Sequence, residues 1–375
     1  MSLEFPVYTR NGLTIVGGKG YRVTDSNGRE YLDFYGGHAV AILGHANPEV
    51  TQAITEQAST LTFQTNVVDV PIRETACEQL VSIAPPGMDR VFLVNSGAEA
   101  NENALRVAFT ATGRSKAVAL KNGFHGRSAA ASAVTDHASW YAFPRKPFDV
   151  EWVAPNSVDE LEKALDKDTA CFIFEPVQGM AGAVALNETF LQAARAFCTE
   201  RGILMIADEV QSGMGRSGTF FAVQGMHVAP DMATLAKGIG GGFPAAALLA
   251  SASLADSIKK GWLGTTFGGG PVACAAIVAT VNAMKRADFL PNVVAMSDKL
   301  KREAQIGPVT AIQGKGLLLG LRTSRPAKDV VADLQARGIL AGGASDPNIV
   351  RLLPPLIIDH EAVDGLVAAL RDIPS

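Results

Sequence analysis

The chain has 375 residues, of which 47% are hydrophobic and 19% charged, and its formal net charge is −4. This composition is that of a globular protein with a sizeable core, and the length favours two or three domains, or one large domain with a satellite. The slightly acidic charge balance argues against a nucleic-acid-binding protein, which normally carries a basic patch or stripe.

The cysteines and the N-terminus predict the compartment. Cys77, Cys171, Cys198 and Cys274 are widely scattered and form no CxxC pair, so neither a disulfide framework nor a metal site is expected. The opening MSLEFPVYTRNG has no apolar segment of the signal-peptide type, and no apolar run is long enough to cross a bilayer. We therefore expect a cytoplasmic protein that has no membrane partner.

The first predicted elements are three short strands. The sequence Asp25-Ser26-Asn27-Gly28 is a strong hairpin signal between the second and the third of them. The strands are expected near residues 13–16, 20–24 and 30–34 and should form an antiparallel meander. The loop that follows contains His38 and His45, but no cysteine or acidic residue lies at ligand spacing from either, and a metal site is not predicted.

From about residue 48, short apolar runs alternate with amphipathic segments. This alternation is typical of an α/β fold with a mostly parallel sheet and helices on both faces. The predicted strands are residues 91–94, 117–120, 150–153, 171–174, 203–207 and 246–250, and the helices between them include 158–165 and 189–201.

The sequence pattern of the C-terminal part predicts a second, α+β region. Its predicted helices are residues 275–285, 328–337 and 360–371, and its predicted strands are 315–322 and 349–353. We expect a large domain over residues 48–274 and a small domain built from both termini, residues 1–47 and 275–375.

A carboxylate and a lysine carry the first chemical signal. Asp208 follows the buried run 203–207, and open α/β sheets bind ligands at the carboxyl ends of such strands. Lys237 precedes a glycine-rich turn that a flat ligand can approach closely. A desolvated lysine can form a Schiff base, and an aspartate can hold a protonated pyridine nitrogen. Each residue alone is more often a helix cap or a solvated helix end, but together they predict pyridoxal 5′-phosphate (PLP) chemistry.

A phosphate site is predicted at residues 95–99. Ser96 occupies a helix N-cap position, and Glu99 completes a Ser-x-x-Glu capping box. Gly97 leaves backbone N–H groups free at the helix N-terminus, which is a natural anion site. A well-capped structural helix without a ligand is the alternative interpretation.

Other candidate residues follow predicted strands or stand out in apolar surroundings. Phe124 could lie flat on a planar ring, and Arg127 could grip a carboxylate, unless this stretch is a surface loop. Glu175 ends a third strand and is a further catalytic candidate. The hydroxyls of Thr265 and Thr266, among glycines, suit a second phosphate contact. Arg351 is a lone charge in an apolar strand and needs an anionic partner.

One motif is misleading. Residues 213–218 match G-x-G-x-x-G, but a dinucleotide site needs the glycines directly at a strand end and a helix after them. Four residues separate the motif from the strand, and the sequence after it has poor helix character. A nicotinamide site is therefore not predicted.

In chain order, these segments resemble the class III, fold-type-I PLP-dependent aminotransferases, and within them the acetylornithine aminotransferases. The resemblance extends from YLDFYGGHAVAILGH at residues 31–45 to IVRLLPP around Arg351 and covers almost the whole chain. It implies a homodimer that transfers the distal amino group of N2-acetylornithine to 2-oxoglutarate, a step of arginine biosynthesis. Other ω-aminotransferases, which take N-succinylornithine, ornithine or 4-aminobutyrate, or a non-catalytic binding module on the same fold, are the alternatives.

The resemblance also implies residue roles. Lys237 is the Schiff-base lysine, Asp208 pairs with the pyridine nitrogen, and Gln211 lies beside the phenolic oxygen. The remaining implied cofactor contacts are Phe124 and Val210 on the two ring faces, and Ser96, Gly97, Ala98 and Thr266 at the phosphate, with Thr266 reaching across from the partner subunit. The implied substrate contacts are Arg127, Thr265 and Arg351. Met180 is a departure, because relatives usually carry a glutamate there that is thought to pair with the arginine matching Arg351.

Overall fold

The computed structural model describes residues 3–375. Its strands are β1 (Ile15–Lys19), β2 (Arg22–Asp25), β3 (Glu30–Asp33), β4 (Arg90–Val94), β5 (Lys116–Leu120), β6 (Asp149–Val153), β7 (Thr169–Phe174), β8 (Val177–Gln178), β9 (Val184–Ala185), β10 (Leu204–Asp208), β11 (Met232–Leu235), β12 (Ala246–Ala250), β13 (Val309–Lys315), β14 (Leu318–Thr323), β15 (Ile339–Leu340), β16 (Gly342–Gly343) and β17 (Ile349–Leu352). Its helices are α1 (Gly36–Ala39), α2 (Pro48–Thr60), α3 (Pro71–Ile83), α4 (Gly97–Thr112), α5 (Ala129–Ala133), α6 (Val158–Ala164), α7 (Glu188–Arg201), α8 (Ala252–Asp256), α9 (Pro271–Met284), α10 (Phe289–Glu303), α11 (Ala327–Ala336) and α12 (His360–Arg371).

A seven-stranded sheet with the order β4-β12-β11-β10-β7-β5-β6 forms the centre of the molecule. The strand β12 runs antiparallel to both of its neighbours, and the pairs on the β11 to β6 side are parallel. The predicted mostly parallel sheet is therefore confirmed. The strand β11 was not among the strands predicted from the sequence.

Helices cover both faces of this sheet, as the side chains of β7 show. Phe172 and Phe174 belong to one hydrophobic cluster together with residues of α7, whereas Cys171 and Ile173 belong to another together with residues of α4. All six residues of β7 are buried. A strand that is covered on both faces must be apolar throughout, which explains the continuous rather than alternating pattern.

The register of the sheet brings the candidate residues to one edge. Ala207 pairs with Phe174, and Asp208 pairs with Thr234. Because these three strands are parallel, Asp208, Glu175 and the turn that begins at Lys237 all leave the sheet at its carboxyl end. This is the edge where open α/β sheets bind ligands.

The two ends of the chain form smaller sheets with the orders β1-β2-β3-β15 and β13-β14-β17-β16. The meander β1 to β3 has the predicted antiparallel pairing, and β3 also pairs in parallel with β15 from the C-terminal part. The helix α9 packs against α2 and α3. The domain boundaries proposed from the sequence stay a prediction.

The strand predicted over residues 315–322 is confirmed from residue 318 onward, where it forms β14, but its beginning is wrong. The chain forms a hairpin there, in which β13 and β14 pair antiparallel around Gly316. Gly316 has a φ of 58°, and a Cβ there would lie 2.3 Å from the carbonyl oxygen of Arg216. Gly316 therefore marks a reversal of the chain. The helix α10 was also missing from the prediction.

The loop after β3 begins with an unusual turn. Gly36, Gly37, His38 and Ala39 all have positive φ angles, between 53° and 68°, so α1 is a left-handed turn. His45 lies 2.8 Å from Asp33, an acidic partner that its position in the sequence did not indicate. None of the helices within residues 3–375 is long and apolar enough to cross a membrane.

The packing of the helix α10 against the hydrophobic core can be tested by substitution. Leu300 on this helix is fully buried, and Val294 on the same helix is 46% exposed. We expect Leu300→Ala to lower the free energy of unfolding by about 2–5 kcal/mol, because it removes buried methyl groups and leaves a cavity. Val294→Ala is the matched control and should change it by less than about 0.5 kcal/mol. Urea unfolding at one fixed protein concentration measures both, and equal effects would contradict the assigned packing of α10.

Candidate active site

A cleft lies at the carboxyl edge of the central sheet, next to β10. Five chain segments meet there: the N-terminus of α4, the loop after β5, and the turns that follow β7, β10 and β11. The cleft is lined by Gly97, Ala98, Asn101, Phe124, His125, Gly126, Glu175, Met180, Asp208, Val210, Gln211 and Lys237.

Asp208 is the buried centre of a hydrogen-bond network. Its Oδ2 atom accepts from Asn101 Nδ2 at 2.7 Å and lies 2.7 Å from His125 Nδ1. Its Oδ1 atom accepts from the backbone N–H of Val210 at 3.0 Å. Asn101 is itself held by the Thr234 hydroxyl, which donates to Asn101 Oδ1 at 2.7 Å. The carboxylate therefore has a single orientation, as a group that pairs with a ring nitrogen requires.

Asn101 and His125 were not predicted as site residues. Asn101 lies one helical turn after Gly97, and His125 lies between the predicted Phe124 and Arg127. A polar residue at this spacing from a capped helix N-terminus is a signal that sequence reasoning could have used, because positions i and i+4 share a helix face.

Lys237 begins a short 3-10 helix at residues 237–240 and has a positive φ of 49°. A lysine in this backbone region is strained by about 1–3 kcal/mol, and such strain clusters at active sites. Burial lowers the pKa of Lys237, while the negative charges of Asp208 and Glu175 act in the opposite direction. A lowered pKa increases the share of neutral amine, which is the nucleophilic and basic form.

The N-terminus of α4 has the predicted form. The Ser96 hydroxyl accepts from the backbone N–H of Glu99, and the Glu99 carboxylate accepts from the backbone N–H of Ser96, so the capping box is confirmed. Gly97 lies close to Val210, and a Cβ at Gly97 would lie only 2.7 Å from Val210 Cγ1. Gly97 and Ala98 line the cleft, whereas Ser96 is exposed and does not.

Glu175 supports the aromatic wall of the cleft. One oxygen of Glu175 accepts from the backbone N–H of Phe124 at 2.8 Å, and the other accepts from Gly179 at 3.2 Å. Burial raises the pKa of Glu175 to about 7, with a further contribution from the charge of Asp208. The catalytic role given to Glu175 stays a prediction. Its contacts show that it fixes the backbone at Phe124.

Gln211 lies against a glycine on the far side of the cleft. Its Oε1 atom is buried and has no hydrogen-bond partner within residues 3–375. A Cβ at Gly179 would lie 1.6 Å from this oxygen, so only glycine is compatible with this position of the side chain. An unsatisfied buried polar atom in a cleft indicates a site for a polar ligand.

The two predicted arginines do not line the cleft itself. Arg351 is buried, with Nη2 donating to the Tyr35 hydroxyl at 2.9 Å and Nε donating to the carbonyl of Gly343 at 2.5 Å. Its Nη1 is buried without a partner in the described chain, and burial lowers its pKa. Arg127 is exposed and lies beside Phe124, with its guanidinium carbon 5.8 Å from the ring centroid. Tyr35 was not predicted.

The predicted threonines lie on a separate loop. Thr265 Oγ1 accepts from Asn95 Nδ2 at 3.3 Å and from the backbone N–H of Gly268 at 3.1 Å. Thr266 is exposed, and neither threonine lines the cleft. The contact between Thr265 and substrate therefore stays a prediction, as does the reach of Thr266 to a partner subunit.

The cleft fits PLP on structural grounds. It combines an oriented carboxylate on Asp208, a lysine amine at Lys237, free N–H groups at a helix N-terminus, and two side chains that could cover a ring, Phe124 and Val210. These are the groups that a pyridine nitrogen, an aldehyde, a phosphate and two ring faces require. The fold and the site together define a PLP-dependent aminotransferase.

Comparison with known proteins gives the family. Residues 7–373 match the family model described as aminotransferase class-III, and the chain belongs to this family. It is 40% identical to the [LysW]-aminoadipate semialdehyde transaminase of Deinococcus radiodurans, over 98% of this chain and 87% of that protein. It is 41% identical to the acetylornithine aminotransferase of Mycobacterium bovis, over 96% of this chain and 91% of that protein.

The fold is shared with solved aminotransferases. A structure of ornithine aminotransferase from Toxoplasma gondii superposes with a TM-score of 0.91 at 30% identity, covering 99% of this chain and 92% of that chain. The predictions of the family, the fold class and the cofactor are therefore confirmed.

Two substitutions should separate binding from chemistry. We expect Lys237→Ala to abolish multiple turnover but to leave PLP binding measurable, since the phosphate and ring contacts remain. We expect Asp208→Ala to weaken PLP binding by at least about tenfold and also to lower the rate, because a charge-assisted hydrogen bond is worth about 1.5–3 kcal/mol. Calorimetry measures the binding, and steady-state kinetics measure the rate.

The exposed Lys301 of α10 provides a matched control, and Lys301→Ala should change neither quantity. Near-normal turnover by the Lys237 variant would contradict its assignment, and normal transamination by the Asp208 variant would contradict the pairing of this carboxylate with the ring nitrogen.

Proposed function

We propose that this enzyme transfers the distal amino group of N2-acetylornithine to 2-oxoglutarate, with N-acetylglutamate 5-semialdehyde and glutamate as the products. The observation that carries this proposal is a pair of arginines beside the cleft, Arg127 and Arg351, neither of which has a carboxylate partner within residues 3–375. Two guanidinium groups without carboxylate partners suit a substrate pair in which the 2-oxo acid carries two carboxylates.

The cofactor supplies an aldehyde that takes up the amino group and a pyridinium ring that delocalises the electron pair left when the donor carbon loses its proton. Lys237 carries that proton, and its lowered pKa suits the role of a base. Asp208, oriented by Asn101 and His125, holds the ring nitrogen in its protonated form. Phe124 and Val210, which both line the cleft, would cover the two faces of the ring.

Both half-reactions share one site. In the half-reaction with 2-oxoglutarate, Arg127 and Arg351 each hold a carboxylate. In the other half-reaction the donor reacts at its distal amine and presents its carboxylate and acyl group to Arg127. Arg351 then has no substrate carboxylate, and Met180, which lines the cleft, cannot neutralise it. A buried and unpaired charge is costly, so a second cation on the donor is unfavourable.

Two kinds of related aminotransferase support a donor with a terminal amine. Acetylornithine aminotransferases and a [LysW]-aminoadipate semialdehyde transaminase reach about the same identity, 41% and 40%. An ω-aminotransferase that acts on a [LysW]-linked donor is therefore the second candidate. An intact Lys237 and Asp208 argue against a non-catalytic binding module.

The donor preference is testable. We expect kcat/KM for N-acetylornithine or N-succinylornithine to exceed that for free ornithine, whose protonated α-amino group adds a second cation. Met180→Glu should improve the use of amine donors relative to the binding of 2-oxoglutarate, because the new carboxylate can pair with Arg351. Steady-state kinetics with these donors and 4-aminobutyrate measure the preference. The proposal is wrong if free ornithine or 4-aminobutyrate is the best donor by tenfold or more, about 1.4 kcal/mol of discrimination.

We also propose a homodimer in which Thr266 contacts the phosphate in the partner subunit's site. Support comes from an exposed apolar surface around Thr266, which we call the 61–68/262–267 patch. Its members are Leu61, Phe63, Val67, Val68, Trp262 and Phe267, with the rings of Phe63 and Phe267 5.5 Å apart. Asn66 Nδ2 joins the two segments by donating to the carbonyl of Thr265 at 3.0 Å. Apolar patches of this kind mark protein interfaces.

A charge placed in this patch should separate the subunits. We expect Phe267→Glu to sediment as a monomer and to lose activity, because each site would lack a phosphate contact. Val294→Glu, which adds the same charge at an exposed valine outside the patch, is the control and should remain dimeric. A fully active monomer of the unaltered chain at assay concentration would overturn this proposal.

A further inference from the structure

Arg127 is held in an unusual way. Within residues 3–375 its guanidinium group forms no ion pair and no hydrogen bond, although the side chain lies at the edge of a cleft rich in polar groups. What it contacts are two aromatic rings. Its guanidinium carbon lies 4.9 Å from the centroid of Trp140 and 5.8 Å from that of Phe124.

These two aromatic rings are fixed relative to each other. Trp140 meets Phe124 edge to face, with centroids 5.3 Å apart and an interplanar angle of 88°. The imidazole of His137 stacks on Trp140 at 4.0 Å and 17°. The backbone N–H of Phe124 donates to Glu175, so the aromatic pair is tied to the buried carboxyl edge of the sheet.

The kind of contact that Arg127 makes determines how well it can bind a carboxylate. A carboxylate partner would neutralise the arginine, and a carbonyl partner would occupy some of its N–H donors. A cation–π contact attracts the cation to the ring face and uses none of the five donors. The guanidinium therefore keeps its positive charge and its full hydrogen-bonding fork for an incoming carboxylate.

We propose that Trp140 is a positioning residue, which holds the guanidinium of Arg127 by its ring face so that the arginine is oriented for a substrate carboxylate before substrate binds. This inference rests on the proposed function, because it deepens the role given to Arg127 there. Trp140 itself acts through Arg127, and His137 supports the indole from within the same loop.

The first test compares two donors that differ in one group. N-acetylputrescine is N-acetylornithine without its carboxylate. We expect Trp140→Leu to raise KM for N-acetylornithine about fivefold with kcat changed less than about twofold, since a cation–π contact is worth about 1 kcal/mol. KM for N-acetylputrescine should change less than about twofold. Trp140→Phe keeps a ring face and should restore most of the loss.

A matched control perturbs a contact between the same loop and the strand β6. Lys146 Nζ lies 3.8 Å from the ring of Trp152, a second cation–π pair that does not include Arg127. Trp152→Leu removes this pair and should leave the ratio of the two KM values unchanged. An equal effect of the Trp140 and Trp152 changes would mean that Trp140 only stabilises the loop, and would overturn the proposal.

The second test uses binding alone. Calorimetry on the PLP-loaded enzyme with glutarate, an unreactive dicarboxylate, gives the dissociation constant for Trp140→Leu, Arg127→Ala and the double variant. We expect the tryptophan change to weaken binding about fivefold when Arg127 is present, and less than about twofold when it is absent. Additive effects of the two changes would overturn the proposal.

The two tests also distinguish failure of this inference from failure of the proposed function. If the unaltered enzyme used no N-acylated ornithine, the proposed function would be wrong, while the glutarate cycle would still decide whether Trp140 and Arg127 act together. If the enzyme used these donors but Trp140→Leu affected both donors alike, only the positioning role would be wrong.

Discussion

The oriented carboxylate of Asp208 is the constraint on which the rest of the site depends. It is buried at a strand end and shares this edge of the sheet with two other buried carboxyl groups, Glu175 and Glu209. Burial raises the pKa of both neighbours to about 7, and the charge of Asp208 contributes to each shift. Glu175 and Glu209 therefore ionise less readily than exposed carboxyl groups. The Asp208 carboxylate accepts hydrogen bonds from Asn101 and from the backbone N–H of Val210. A cationic ring nitrogen is the complement that this arrangement requires.

The ends of the chain complete the site from the other side. The left-handed turn α1 follows Tyr35, whose hydroxyl accepts from Arg351, and a Cβ at Gly342 would lie 1.9 Å from the Tyr35 ring. Residues 213–218, which match G-x-G-x-x-G, help to hold the C-terminal part of the chain in place. Its arginine, Arg216, is buried and donates from Nη1 to the carbonyls of Leu317 and Pro354 in the C-terminal part. The position of Arg351 thus depends on how the terminal portions pack on the central sheet.

The cofactor half and the substrate half of the site differ in how they are built. Around Asp208 and Lys237, the groups are buried and held by hydrogen bonds between the sheet, α4 and the loop after β5. Around Arg127 and Arg351, the cations are held by aromatic rings, a tyrosine hydroxyl and a backbone carbonyl, and carboxylate partners are missing from residues 3–375. The first half suits one ligand held permanently. The second suits the dicarboxylates proposed above as substrates, which would have to enter and leave.

The sequence by itself determined the parts of the protein that depend on local pattern. Continuous apolar runs predicted six of the seven strands of the central sheet, and the Ser96 capping box predicted the start of α4. Asp208 at a strand end and Lys237 before a glycine-rich turn predicted the cofactor chemistry. The strand predicted over residues 315–322 began before the turn at Gly316, and both β11 and α10 were missed. Only the tertiary structure decided which side chains meet. Asn101 and His125 reach Asp208 across separations of 107 and 83 residues, and Trp140 rather than an acid supports Arg127. Such contacts depend on the packing of distant segments, and no local periodicity in the sequence encodes them.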